Sequence, residues 1–235
     1  MDRDEIARSV SDLTFVDLFP GSTVVGVPPA VAATEPLYPE EASSVAGAVE
    51  KRRLEFTLGR ACGRAALLHL GASAGPIAVS PERAPVWPED VVGSITHRSR
   101  IVAAAVAWQS QFAGIGLDVE AAGQLSPSVT RRVCTAAELD WISSHPEPAG
   151  ACWGTVIFSA KEALYKAVFP LTLRWLGFSD VQIHLEPDRR RVAARFVGES
   201  AGRLSSLGEL SGTFAIRDGL VIAALTLRRL GPRPA

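Results

Sequence analysis

Residues 116–120 read Gly-Leu-Asp-Val-Glu, and residues 158–166 read Phe-Ser-Ala-Lys-Glu-Ala-Leu-Tyr-Lys. The first stretch spaces two carboxylates by two residues in an apolar run that predicts a strand. The second spaces a glutamate and a lysine by four residues in a run that predicts a helix. Strand side chains repeat every second residue and helix side chains about every 3.6 residues, so each pair lies on one face of its element. If those faces meet, the charges converge at a place suited to a hard divalent cation and a phosphate.

Each charged pair also has an ordinary explanation. Asp118 and Glu120 fit the solvent face of an amphipathic strand, although residues 112–117 are almost wholly apolar and predict a buried one. Two like charges on one face of a buried strand repel each other and are costly to desolvate without a cation. Glu162 and Lys166 fit an exposed helix ion pair worth only about 0.3–0.5 kcal/mol. The apolar residues around them favour a largely buried helix, where a charged pair needs a reason.

The composition restricts the classes of function. The 235 residues are 47% hydrophobic, which is enough for one large core or two closely packed halves. A net charge of −1 provides no global field for nucleic acid or an anionic membrane, so we expect neither as a partner. Three cysteines without metal-ligand spacing predict a reduced, cytoplasmic protein. The acidic N-terminus lacks the plan of a signal peptide, and the longest apolar run, 101–108, is too short to span a bilayer.

The order of elements predicts an α+β protein with two pseudo-symmetric halves, 1–111 and 112–235. We expect each half to pack a helix on a small antiparallel sheet, because the chain lacks the βαβ alternation of a doubly wound fold. The predicted helices lie at 6–13, at 40–70, after Ser126, after Thr135, and at 153–169, where Pro170 should stop the last one. The predicted strands are 77–79, 101–108, 112–119, 180–186, 191–197, 212–218 and 220–228. We expect 101–108 and 112–119 to form a hairpin, and the last two strands to join at Asp218-Gly219.

A second group of residues could hold an anion. Ser94 and Thr96 place hydroxyl donors on alternate residues, and His97 adds an imidazole that is charged when protonated. A turn with a satisfied core histidine explains the same tetrapeptide. Arg52 and Arg60 are eight residues apart and share a helix face that can grip a polyanion. Like most arginines, they also fit solvated surface positions.

Several segments, taken in order, resemble the surfactin-type (Sfp-type) 4′-phosphopantetheinyl transferases. They are Lys-Arg-Arg-Leu-Glu-Phe at 51–56 with Arg60, Arg-Ala-Pro-Val-Trp-Pro at 83–88, Gly-Ser-Ile-Thr-His at 93–97, and the two stretches quoted first. Residues 170–178 also resemble the actinobacterial and enterobactin-type branch. The resemblance covers about residues 45–180 and implies the two-halved fold of that family. Arg83 stands where many relatives carry lysine, which keeps the charge but changes the donor geometry.

The resemblance also implies a reaction and its residues. The phosphopantetheine arm of coenzyme A moves to a serine of an apo acyl- or peptidyl-carrier protein, with Mg²⁺ as the expected ion and Mn²⁺ as the alternative, and 3′,5′-ADP leaves. The metal carboxylates match Asp118, Glu120 and Glu162. Glu162, directly or through a metal-bound water, takes the serine proton, and Lys166 and Lys161 stabilise the phosphoryl oxygens. The coenzyme A positions match Arg52, Arg60, Arg83, Ser94, Thr96, His97, Lys161 and Lys166.

Other interpretations stay open at this level. One is a non-catalytic homologue that binds coenzyme A or docks carriers, which the intact Glu162 and Lys166 disfavour. Another is a metal-dependent phosphoesterase, which should hydrolyse coenzyme A without an acceptor. Fatty-acid, polyketide and nonribosomal-peptide carriers are all compatible partners for the expected monomer, and Arg131 and Arg132 are candidate contacts for an acidic carrier. We expect removal of Asp118 or Glu162 to abolish transfer but leave the fold intact, since the carboxylates repel each other.

Overall fold

A computed structural model of the chain describes residues 18–19, 24–26, 36–98, 101–204 and 206–228. The predicted helix at 6–13 lies outside these residues. Contacts divide the chain into two compact units, Met1–Gln111 and Phe112–Ala235, and each unit packs a long helix on an antiparallel sheet. The predicted α+β class is therefore confirmed. Within the described residues, no helix combines the length and apolar character needed to cross a membrane.

The first unit is built on one long helix and a three-stranded sheet. Its elements are β1 (Val24–Gly26), α1 (Pro39–Ala42), α2 (Glu50–Leu70), β2 (Val91–Arg98) and β3 (Ile101–Trp108). β3 lies between β1 and β2, antiparallel to both, and α2 packs across it. α2 ends at Gly71, whose φ of 79° is a left-handed conformation that glycine adopts without strain. The predicted stop of this helix is confirmed.

The second unit is built on a helix across a five-stranded sheet. Its elements are β4 (Gly114–Ala121), α3 (Pro127–Val133), α4 (Ala136–Ser143), α5 (Trp153–Thr172), β5 (Val181–Glu186), β6 (Arg191–Phe196), α6 (Glu199–Leu204), β7 (Glu209–Arg217) and β8 (Leu220–Arg228). The strand order is β4-β8-β7-β6-β5, and every neighbouring pair is antiparallel. β7 and β8 meet at Asp218-Gly219, where both residues have positive φ, as the predicted two-residue turn requires. The buried face of α5 packs on β4 and β8, which places the core of this unit under that helix.

Two predicted elements of the first unit differ from the structure. The predicted helix from Glu40 to Leu70 is interrupted, because α1 passes into a 3₁₀ turn at Ser43–Val45 and Val49 is extended before α2 begins. Two serines and a glycine stand in this interval, and both residue types disfavour a helix interior. The predicted strand 77–79 does not form: Val79 makes an isolated β-bridge with Pro85, and the segment joins neither of the described sheets.

The predicted hairpin between 101–108 and 112–119 is wrong. β3 pairs with β1 and β2, whereas β4 pairs with β8. An apolar pattern identifies a strand but not its partner, and the short connection after β3 leads here into a different sheet. The predicted end of α5 at Pro170 is also wrong, since this helix continues to Thr172. A proline in the last turn removes a terminal hydrogen bond and leaves the body of the helix intact.

Candidate functional site

Two glycines set an unusually close approach between β4 and α5. A Cβ atom on Gly116 would overlap the carbonyl oxygen of Ala163, and one on Gly114 would overlap that of Ala167. The helix backbone therefore lies directly on the strand, with no side chain between them. Asp118 follows on the same face of β4, since strand residues alternate between faces. Its carboxylate is consequently held within reach of side chains that project from α5.

The Asp118 carboxylate has a partner from α5 on each oxygen. It is 5% exposed, and its Oδ1 accepts a hydrogen bond of 2.7 Å from Lys166 Nζ while Oδ2 accepts one of 2.9 Å from Ser159 Oγ. Lys166 Nζ also donates to the carbonyl of Leu117 at 3.1 Å. The sequence pattern paired Lys166 with Glu162 along the helix. In the structure, Lys166 reaches across to the strand and neutralises Asp118.

Glu162 is the second carboxylate of this cluster. Burial raises its pKa above the ordinary glutamate value, the negative charge of Asp118 raises it further, and the positive charge of Lys166 lowers it. The pKa of the neighbouring Tyr165 is also raised, by burial and then by the charge of Glu162. A partly buried carboxyl group with a raised pKa, beside a second carboxylate and a lysine, has the properties of a general base.

The acidic groups have the donor chemistry of a magnesium site. Asp118, Glu120 and Glu162 offer the hard oxygens that Mg²⁺ prefers, and Glu120 lies partly buried on the face of β4 that carries Asp118. The charge of Asp118 raises the pKa of Glu162, which identifies a like-charge pair that a cation would stabilise. Within the described part of the chain, no three His, Cys, Asp or Glu residues stand close enough together to enclose a metal. The positive charge beside Asp118 in this structure is the ammonium group of Lys166.

Lys161 does not fit the predicted contact with phosphate. It is 3% exposed, and its ammonium group donates to the carbonyls of Val133 and Phe178 and to Glu138 Oε2, each at 2.8–2.9 Å. These three hydrogen bonds use all three donors of a lysine. Glu138, which caps α4, also accepts from the backbone N–H groups of Thr135 and Ile183, both at 2.6 Å. Lys161 therefore anchors α5 to the core of the second unit, and its three hydrogen bonds disfavour the predicted roles in catalysis and in coenzyme A binding.

In the first unit, the structure joins two of the predicted anion-binding residues. Arg52 Nη1 lies 2.8 Å from His97 Nε2, between the first turn of α2 and the end of β2. Glu55, one helical turn after Arg52, lies 3.9 Å from His97 Nδ1 and 4.0 Å from Arg52 Nη1. The close packing of β2 on α2 at Gly59, where a Cβ would press on Ile95, explains this proximity. Sequence analysis missed Glu55, although its spacing from Arg52 could have indicated it.

Arg60 is a buried cation with an unsatisfied donor. It is 6% exposed and stacks over the ring of Phe56 at 4.1 Å, while its Nε has no hydrogen-bond partner among the described residues. Desolvation lowers its pKa to about 10, the charge of Glu41 opposes this shift, and Arg52 and Arg64 add to it. A buried donor without an acceptor is costly, so this position favours the binding of an anion.

Glu41 provides the carboxylate in this part of the first unit. It is fully buried, and both of its oxygens accept from Arg64 Nη1 at 3.0 Å. It also accepts from the backbone N–H groups of Ile77 at 2.8 Å and Tyr38 at 3.0 Å. Glu41 thus ties α1 to α2 and to the segment that follows α2.

The remaining predicted residues are less well grouped. Ser94 and Thr96 are buried in β2, and strand alternation puts them on the face opposite His97. The three side chains therefore do not form one phosphate cradle, because the tetrapeptide lies within a strand and not before it. Arg83 is exposed at a tight turn, with φ of 70° and its N–H bonded to the carbonyl of Ser80. Trp87 fixes the end of this loop by donating to the carbonyl of Gly93 at 2.9 Å.

Ser159 is the main site residue that sequence analysis missed. It is fully buried and bonds to Asp118. The signal was present, since Ser159 precedes Lys166 by seven residues, or about two helical turns, and so shares its face. A serine in an apolar helix is nevertheless ordinary, and the spacing alone gives it no role.

Two family models match the chain. A model described as the 4′-phosphopantetheinyl transferase N-terminal domain matches residues 40–107, and one described as the 4′-phosphopantetheinyl transferase superfamily matches residues 114–224. The first range contains the Arg52–His97 pair. The second contains the cluster of Asp118, Glu162 and Lys166.

Named relatives agree with the family models. The chain is 37% identical over 228 residues to the 4′-phosphopantetheinyl transferase PptT of Mycobacterium tuberculosis. The aligned region covers 94% of this chain and 95% of the relative. It is 38% identical over 194 residues to the 4′-phosphopantetheinyl transferase Svp of Streptomyces mobaraensis, covering 81% and 78%. The enterobactin synthase component D of Escherichia coli (strain K12) is 34% identical over 138 residues, covering 57% of this chain and 62% of the relative.

Proposed function

The chain belongs to the 4′-phosphopantetheinyl transferase superfamily, and from this premise we propose that it moves phosphopantetheine from coenzyme A to a serine of an apo carrier protein, releasing 3′,5′-ADP. Enzymes of this family use coenzyme A and act on carrier protein domains. The observation that carries the proposal for this chain is the cluster of Asp118, Lys166 and Glu162 where α5 crosses β4.

The proposed step breaks one phosphorus–oxygen bond of the pyrophosphate and forms another to the serine oxygen. Glu162 takes the serine proton, directly or through a bound water, and its raised pKa makes it a better proton acceptor than an ordinary carboxylate. Lys166 presents a positive charge to the phosphoryl oxygens, as its position beside Asp118 allows. Orientation of these groups requires the close packing that Gly114 and Gly116 permit.

Asp118, Glu120 and Glu162 would hold Mg²⁺ or Mn²⁺, since both ions favour oxygen ligands. When bound, such an ion supplies positive charge to the pyrophosphate. Asp118 and Glu162 fit this role because each is a partly or fully buried carboxylate beside another, and their repulsion favours a cation. We expect transfer to stop when a chelator removes divalent ions.

The first unit is proposed to bind the nucleotide and phosphates of coenzyme A. Arg52 and His97 lie together, and Arg60 has the buried, unsatisfied donor described above. Arg83, on its exposed turn, is proposed as a further contact to coenzyme A. Ser94 and Thr96 are proposed as further contacts, and their hydroxyls lie on the other face of β2 from His97. We further propose that the protein acts as a cytoplasmic monomer, and its three cysteines are unpaired thiols.

Replacing His97 by alanine should raise the coenzyme A concentration for half-maximal rate by about tenfold, because a hydrogen bond to a charged group is lost. The maximal rate should change little, since His97 is proposed to bind coenzyme A and has no proposed part in the proton transfer. Steady-state rates of holo-carrier formation at varied coenzyme A measure both quantities. His69→Ala is the matched control, because His69 lies exposed on α2 and its imidazole bonds to the carbonyl of Ala65 in its own helix. Equal effects of both substitutions would contradict the proposed contact.

The last turn of α3 is proposed to face the carrier. Arg131 and Arg132 are both exposed there, and carriers with acidic surfaces would pair with them. The double substitution to glutamate should raise the KM for the carrier by about fivefold or more, and added salt should reduce the difference. Arg203→Glu, on the exposed face of α6, provides the control for a general change of charge. A carrier KM that is the same in both variants would exclude this surface.

The decisive test is intact-protein mass spectrometry on a panel of apo carriers from fatty-acid, polyketide and nonribosomal-peptide systems. With coenzyme A and Mg²⁺, at least one carrier should gain the mass of one phosphopantetheine and 3′,5′-ADP should appear in equal amount. A folded protein that modifies none of them would contradict the proposal. Release of 3′,5′-ADP without any acceptor would instead favour a phosphoesterase, and coenzyme A binding without transfer would favour a non-catalytic homologue.

A further inference from the structure

Ser159 is a buried hydroxyl group on the face of α5 that also carries Glu162 and Lys166. Its exposed fraction is 0%, and its Oγ donates a hydrogen bond of 2.9 Å to Asp118 Oδ2. A serine or threonine inside a helix commonly bonds back to the carbonyl four residues earlier. Thr172 does this in the same helix, by donating to the carbonyl of Val168. Ser159 instead reaches out of its helix to a carboxylate on a strand.

The two oxygens of Asp118 consequently stand in different environments. Oδ2 is bound by the fully buried Ser159, whereas Oδ1 is bound by Lys166, whose side chain is 28% exposed. Any ion that arrives from solvent therefore meets the carboxylate from the side of Oδ1. A hydrogen bond on Oδ2 fixes the rotation of the carboxylate plane, and so fixes where Oδ1 points. Groups that orient a metal-binding side chain in this way influence its affinity strongly.

We propose that Ser159 is a positioning residue that orients Asp118 and presents Oδ1 to the divalent cation. This inference rests on the function proposed above, because it assumes that Asp118 binds such a cation. Ser159 itself touches neither the cation nor a substrate. Its hydroxyl stays hydrogen-bonded to Oδ2 of Asp118. Oδ1 is then available to bind the ion in place of the ammonium group of Lys166. The role requires a donor at this position and no change in charge.

Direct binding of Mn²⁺ to the full-length protein, without coenzyme A, tests this inference. Free Mn²⁺ is measured by electron paramagnetic resonance during a titration. Ser159→Ala should weaken Mn²⁺ binding by about tenfold, since loss of an orienting group costs this much or more. Ser159→Thr keeps the hydroxyl and should bind more tightly than Ser159→Ala. In the transfer assay, Ser159→Ala should need about tenfold more cation, and a high cation concentration should restore its rate.

Thr155→Val is the matched control on the same helix. Thr155 is also buried, and its hydroxyl donates to the carbonyl of Gly123 at 2.6 Å. This substitution also removes a buried hydrogen bond, but that bond does not reach a carboxylate, so Mn²⁺ affinity should stay unchanged. Thermal unfolding of both variants separates loss of fold from loss of binding. Ser159→Cys has nearly the volume of serine and a weak donor, and it provides the measurement if the alanine variant does not fold.

Three outcomes would overturn the inference, at different levels. If Ser159→Ala and the wild type bind Mn²⁺ equally, Ser159 has only a structural role, while the proposed function stands. If the wild type transfers phosphopantetheine but binds no Mn²⁺, the cation site and the role of Ser159 both fail. If the wild type neither binds Mn²⁺ nor transfers, the proposed function itself fails.

Discussion

Replacing Glu162 by glutamine is expected to lower the rate of phosphopantetheine transfer by about 10²–10⁴-fold, the usual contribution of a general base. The amide cannot accept the serine proton, and it also removes one of the proposed cation ligands. The fold should remain intact, because the structure gives Glu162 a raised pKa that reflects an unfavourable environment for its charge. Single-turnover rates of holo-carrier formation measure the loss, and circular dichroism checks the fold.

The same substitution should change the pH dependence of stability in cation-free buffer. A carboxyl group whose pKa is raised in the folded state stabilises the fold below its unfolded pKa, and this contribution is lost as pH rises through the folded value. Glutamine carries no such loss. The variant should therefore be more stable than the wild type at neutral pH and lose this advantage as the pH falls to about 4. Urea unfolding with a chelator measures the difference, and a variant that is less stable at neutral pH would contradict the raised pKa.

Asp118 should behave differently from Glu162, which corrects the expectation from sequence. Asp118→Ala leaves Ser159 and Lys166 without their shared acceptor, and part of the 3–5 kcal/mol typical of a broken buried ion pair should be lost, about 1–3 kcal/mol given the partial exposure of Lys166. The sequence treats the carboxylates as equal and mutually repelling. In the structure, Asp118 forms a hydrogen-bonded ion pair with Lys166, whereas burial and the charge of Asp118 raise the pKa of Glu162.

Replacing Gly116 by alanine should destabilise the protein severely. The new Cβ would overlap the carbonyl oxygen of Ala163, which is backbone and cannot rotate away. Overpacking typically costs about 1–3 kcal/mol, and a rigid backbone neighbour places this variant at or above the upper end. α5 must move away from β4, so Lys166 and Ser159 would also lose Asp118, and transfer should fall even at temperatures where the variant is folded. Urea denaturation and the transfer assay measure the two effects.

Gly123→Ala provides the control for this prediction. Gly123 follows β4 closely, and a Cβ at that position would have open space within 4 Å. Its stability should stay near that of the wild type. If Gly116→Ala were as stable as Gly123→Ala, the close packing of α5 on β4 would be wrong, and the positions of the site residues would need revision.

The sequence predicts local elements well because local patterns determine them. Ser126 and Thr135 cap helices as expected, and Asp218-Gly219 forms the expected turn, since each depends on a few neighbouring residues. Strand partners depend on distant parts of the chain. The apolar run at 101–108 had no feature that could distinguish β2 from β4 as its neighbour, and the hairpin prediction failed for that reason.

The site residues likewise separate into those that local spacing could predict and those that depend on distant packing. Asp118, Glu162 and Lys166 could be predicted because regular spacing puts charges on one face of an element, and the structure groups these residues. Lys161 lies five residues before Lys166, on a different face of α5, and only packing determines which of the two lysines is enclosed by core carbonyls. Ser94, Thr96 and His97 were grouped as one tetrapeptide that leads into the strand at 101–108, whereas residues 91–98 form a strand of their own, β2, which was not predicted. Side chains alternate between the faces of that strand, so the two hydroxyl groups and the imidazole lie on opposite faces.

The buried glutamates of the two units take part in similar bonding schemes. Glu41 and Glu138 each cap a short helix, and each binds a distant isoleucine N–H and a cation on the long helix 23 residues later, Arg64 or Lys161. The spacing from glutamate to cation is 23 residues in both units, whereas the isoleucines stand 36 and 45 residues after their glutamates. Lys161 is therefore the counterpart of Arg64 in a bonding scheme that both units share, which makes it a framework residue. The residue that follows each cation differs, since Glu162 follows Lys161 and Ala65 follows Arg64.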